Sequence, residues 1–178
     1  MKTFFTVILT LILCTSHVNA QKLAFVIQAP QGITVTPIGD SELNFGDYLL
    51  PNMGTVQINL QDTETEVIRI DLDWFRWFSR RNRNLRVTIT PPNNLRLDFD
   101  VIPYSLGAAY NDQTEDNNPN QAQPFQGTSE VLTMPNPGLD GQWWNSTAYI
   151  YIYGNINIGN VKPGRYTGTI NINVDYAN

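Results

Sequence analysis

The chain has one cysteine and one histidine in 178 residues, Cys14 and His17, and both lie within its first twenty positions. Beyond residue 20 there is neither thiol nor imidazole. A Ser–His–Asp or Cys–His nucleophile needs an imidazole or an equivalent base, and zinc sites built on Cys and His need those ligands, so both are excluded there. No glycine-rich phosphate loop leads into a helix. Lysine is scarce, with Lys22 and Lys162 the two that follow Lys2, and 11 basic against 16 acidic side chains leave a formal charge of −5. That balance gives no global attraction for nucleic acid or an anionic membrane.

What the first twenty residues do contain is a targeting pattern. Met1 and Lys2 form a short positive start, Phe4 to Leu13 an apolar stretch, and Val18-Asn19-Ala20 a small-residue cleavage signal. This predicts a signal peptide over 1–20, with the mature chain beginning at Gln21. The apolar stretch is shorter than the about 20 residues a membrane-spanning helix requires. Residues 21–178 are then expected to form a single exported domain, resident in the periplasm, at the cell surface or outside the cell. A secreted domain without disulfides must be held by its core.

Core material is plentiful and strand-like. Ile68, Ile70, Leu72 and Trp74 alternate with Arg69, Asp71 and Asp73; Leu85, Val87 and Ile89 alternate with Arg86, Thr88 and Thr90. Leu95, Leu97 and Phe99 alternate with Arg96, Asp98 and Asp100, and Ile170, Ile172, Val174 and Tyr176 with Asn171, Asn173 and Asp175. One face for a core and one for water is the antiparallel-sheet pattern. Further strands are predicted at 23–28, 33–37, 42–45, 55–60, 101–106, 129–133 and 147–153, with turn signals between them. The fold class is all-β, a Greek-key antiparallel β-sandwich of the immunoglobulin-like kind. The polar run 111–123 cannot bury apolar area and reads as a long mobile loop.

Several residues are candidates for function. Asp112, Glu115 and Asp116 could offer oxygen ligands to calcium, although their spacing fits no EF-hand loop. Asp71/Asp73 and Asp98/Asp100 have the separation of a carboxylate pair, but each continues an outward polar stripe, where carboxylates are solvated or paired with arginines. The pattern thus predicts no pocket gathering acidic side chains, no cofactor and no enzyme. Trp77, in an aromatic and arginine-rich stretch, and Trp143 and Trp144 could bind glycans or a partner. Tyr149, Tyr151 and Tyr153 alternate with Ile150 and Ile152, so they either line an outer stacking platform or are covered on a strand buried on both faces.

Two stretches together resemble a known group. Ile33-Thr34-Val35-Thr36 leading to Leu43-Asn44-Phe45-Gly46, and Gly164-Arg165-Tyr166-Thr167-Gly168-Thr169-Ile170 running to Tyr176, are similar to the ends of secreted bacterial β-sandwich domains of unknown function. Those domains are similar to spore coat protein U and, more distantly, to chaperone–usher pilins. The resemblance implies a pilin-like sandwich in which an N-terminal extension, here 21–30 with Leu23, Phe25 and Ile27 on one face, can fill a neighbouring subunit. The closing strand, with Ile170, Ile172, Val174 and Tyr176, is what a periplasmic chaperone would pair with. The same extension could equally be the first strand of a complete sandwich. Function is thus expected to be that of a fimbrial, coat-like or adhesive subunit associating by edge-strand pairing with copies of itself or related subunits. The alternative is a non-catalytic carbohydrate-binding module.

Overall fold

The computed structural model describes residues 21–46, 50–72, 83–97, 99–113, 116–134 and 146–177. The expected signal segment, Trp77, Glu115, Trp143 and Trp144 lie outside them. The described residues form thirteen strands: β1 (Lys22–Gln28), β2 (Ile33–Pro37), β3 (Glu42–Asn44), β4 (Gly54–Ile58), β5 (Glu66–Leu72), β6 (Arg83–Thr90), β7 (Leu95–Leu97), β8 (Asp100–Ile102), β9 (Tyr104–Asn111), β10 (Gln123–Pro124), β11 (Ser129–Met134), β12 (Ser146–Ile158) and β13 (Thr167–Ala177). Among the described residues no helix is long and apolar enough to cross a membrane.

The strands form two sheets. The first runs β11-β6-β13-β1-β3, with β7 attached to β13 and β8 to β7; the second runs β10-β9-β12-β5-β2, with β4 also pairing β12. Alternation explains why they close on each other. Leu23, Leu85, Val87, Ile170, Ile172 and Val174 of the first sheet share one buried cluster with Ile68, Ile70, Leu72, Ile150 and Ile152 of the second. Each such side chain, fully buried, contributes about 1.5–3 kcal/mol of hydrophobic stabilisation. The intervening residues of β13, Thr167, Thr169, Asn171, Asn173 and Asp175, are exposed.

Four expectations need correction. The pairing is not wholly antiparallel: β1 runs parallel to β13, with Leu23 opposite Gly168, Phe25 opposite Ile170 and Ile27 opposite Ile172. The strand expected at 101–106 is two strands, β8 and β9, parted at Pro103, a residue that has no N–H for a ladder. Phe99 does not join the core face of its predicted strand. That strand ends at Leu97 and the Phe99 ring is fully exposed, because the chain turns into β8. The polar run is not a featureless loop, since β9 extends to Asn111, residues 119–121 form a 3-10 turn capped by the Asn118 side chain, and β10 follows.

Candidate functional site

The N-terminal extension forms a strand of its own chain's sheet. β1 lies between β13 and β3, with Leu23 fully buried and Phe25 and Ile27 packed against the core. Its first contacts are tight. The Gln21 side-chain amide donates to the Gly164 carbonyl at 2.8 Å, the Lys22 N–H donates to the Tyr166 carbonyl at 3.1 Å, and Lys22 forms an ion pair with Glu42 of β3 at 2.7 Å. The predicted pairing residues of β13 divide between its neighbours. Ile170 and Ile172 face β1, while Ile172 and Val174 lie opposite Ile89 and Val87 of β6, and Tyr176 opposite Leu85.

Four of the free edges are guarded or short. At β11, the N–H groups of Val131 and Thr133 point away from β6. The first donates to Glu130 Oε1 at 3.3 Å and the second to Asp112 Oδ2 at 2.8 Å. Edge strands blocked by carboxylates, proline or shortness resist adding another chain. β2 ends in Pro37, β10 has two residues including Pro124, and β3 has three. This also assigns Asp112, one of the calcium candidates. It is buried and fixed by Thr133 and by the Gln113 side chain at 2.6 Å. Among the described residues no group of three or more His, Cys, Asp and Glu is arranged to hold a metal ion.

The tyrosine row is not an open platform. Tyr149 and Tyr151 are 7% and 1% exposed, Tyr153 is half-buried, and together with Ala109 they form a second small core on the outer face of the second sheet. Leu60, Val67 and Ala122 pack against it. The roof is held by polar contacts, including Gln61 Nε2 to Asn120 Oδ1 at 2.8 Å, which ties the β4–β5 loop to the 3-10 turn. The Tyr151 hydroxyl is buried without a well-formed hydrogen bond, and burial pushes its pKa up to about 12. Of the carboxylate pairs, Asp71 accepts from Arg69 on its own strand at 2.9 Å and from Thr147 at 2.8 Å, and Asp100 pairs with Lys162 at 3.5 Å. Asp73 and Asp98 lie outside the described residues.

The site that sequence reasoning missed is a cleft of about 570 Å³, where β3 of one sheet faces β4 and the start of β5 of the other. Contrary to expectation, it gathers acidic side chains: Asp40, Glu42, Glu64 and Glu66 line it, with no lysine or arginine among the lining residues. Phe45, Val56 and Ile58 supply its apolar wall. Glu66 is 4% exposed and its Oε1 is buried with no hydrogen-bond partner. Burial, and then the nearby Asp40 charge, push its pKa from 4.5 up to about 7, with the Ser41 backbone N–H opposing the rise. The surroundings are firmly built. Asp62 Oδ2 accepts from the Asn59 N–H at 2.6 Å and Thr65 Oγ1 donates to the Asn59 carbonyl at 2.6 Å, fixing the β4–β5 loop. Ser41 holds a left-handed φ of 59°, and a Cβ at Gly39 would come within 3.0 Å of Glu66 Oε2.

The signal for Glu66 was parity. It lies two residues before Ile68, on the same buried phase as Ile68, Ile70 and Leu72. Sequence comparison finds no matching family model and no matching curated protein.

Proposed function

We propose that the chain is an exported structural or adhesive subunit, pilin- or coat-like, that associates by exchanging its N-terminal strand between copies. The observation that carries this reading is the position of β1. It is the first described strand, it pairs only with β13 and β3 among the described strands, and residues 29–32 then carry the chain to β2 in the other sheet. Withdrawing β1 would leave the β6–β13, β6–β11 and whole second-sheet ladders intact. The slot it vacates would fit β1 of a second copy with the same side-chain contacts, which is the low-cost route to association by swapping identical elements. Addition at β11, β2 and β10 is disfavoured by Glu130, Asp112, Pro37 and Pro124, which favours the β1 slot over those edges for strand pairing. An immunoglobulin-like Greek-key topology is part of the same proposal, supported by a last strand that pairs antiparallel with β6 and parallel with the first.

The test is assembly of the chain from Gln21 onward, followed by light scattering against concentration, with and without a synthetic Lys22–Gln28 peptide. Multimers that shrink when excess peptide caps the vacated slots are expected. A protein that stays monomeric at every concentration and ignores the peptide contradicts the reading.

A further inference from the structure

We propose that the cleft between β3 and the β4–β5 corner binds a protonated amine, whose ammonium pairs with the Glu66 carboxylate while its carbon body lies along Phe45, Val56 and Ile58. This does not depend on strand exchange, since the cleft belongs to one copy. Three observations converge on it. A carboxylate oxygen buried without a partner is costly, and Glu66 Oε1 has none. The cleft around it, about 570 Å³, falls in the size range of small-ligand sites and sets an apolar wall against polar and acidic side chains. The charges that face it select the sign of the ligand. Asp40 comes from the β2–β3 turn and Glu64 from the β4–β5 loop; Glu42 on β3 is already neutralised by Lys22 of β1. β12, opposite Glu66 in register at Ile152, adds no charge there.

A metal ion is the poorer occupant, because the acidic groups are not arranged as a ligand set among the described residues. An ammonium on an alkyl or sugar body matches both the charge and the apolar wall. Its source is either a lysine side chain or an amino sugar, and the two can be told apart.

Binding to the purified protein is measured by calorimetry with Nα-acetyl-lysine amide and with glucosamine. Nα-acetyl-norleucine amide and N-acetylglucosamine serve as their neutral counterparts. One or both amines are expected to bind, and which one does identifies the source. Glu66→Gln, which keeps the side-chain volume, is expected to weaken binding at least tenfold without lowering the melting temperature. Asp40→Asn, on an exposed turn, weakens it less. Because the ammonium needs the ionised carboxylate, affinity for the lysine derivative is expected to rise roughly tenfold from pH 6 to pH 8 in the parent and to stay flat in Glu66→Gln. The proposal is overturned if neither amine binds, if the neutral counterparts bind as well as the amines, or if Glu66→Gln retains full affinity and its pH dependence.

Discussion

Glu66 stands on the core-facing phase of β5 with the aliphatic residues that hold the two sheets together. Its carboxyl titrates near pH 7 when folded and near 4.5 when unfolded. Between those values the native protein holds a proton that the unfolded chain has released. Stability therefore falls as pH rises through that window, by up to about 3 kcal/mol, and stays lower above it. Glu66→Gln removes that loss. Urea unfolding is expected to show parent and variant similar at pH 4.5, with the variant more stable at pH 8. An equal pH response in both would mean that the carboxylate is solvated in the folded state. The same parity that places Glu66 inside was visible in the sequence, where extending Ile68, Ile70 and Leu72 back by two reaches it. Its role was not legible, because the other carboxylates and the apolar wall come from β3, β4 and two turns that only the closed fold brings together.

Among the elements, β12 shows best what alternation can and cannot say. Ala148, Ile150 and Ile152 face the main core as their phase predicts, and the tyrosines take the other face. Whether that face is wet depends on residues 111–123, whose composition gave no hydrophobic reason to fold. The described residues among them fold through side-chain amides and caps, such as Asn118 capping Asn120 and Asn120 accepting from Gln61, and such bonds leave no periodic trace. Close contact between β12 and β9 is similarly hidden. A Cβ at Gly154 would come within 2.2 Å of the Ser105 carbonyl oxygen and 3.1 Å of Leu106 Cα, both backbone atoms of β9. Gly154→Ala must push two strands of the second sheet apart and is expected to cost about 3 kcal/mol in urea unfolding. A loss well below 1 kcal/mol would show that the strands are not packed this tightly. Strand phase also gives a side chain's face without giving its neighbour, which is why the parallel β1–β13 pair was not foreseen.

For the molecule as a whole, one polypeptide supplies the described strands of both sheets and sets carboxylates or prolines at β11, β2 and β10; in the proposed function, β1 is the strand exchanged between copies. Strand exchange at this slot and ligand binding in the cleft make separate demands, so either can fail alone. The most direct test of the central claim uses Ala24 and Thr169, register partners whose side chains are both exposed. Neighbouring strands lie about 4.8 Å apart, within disulfide reach, and the chain from Gln21 has no other cysteine. Ala24→Cys and Thr169→Cys proteins, prepared separately, are mixed at high concentration and oxidised, with the double variant as an intramolecular control. Exchange of β1 predicts covalent dimers containing one copy of each variant. Ready closure of the control without any mixed dimer would contradict it.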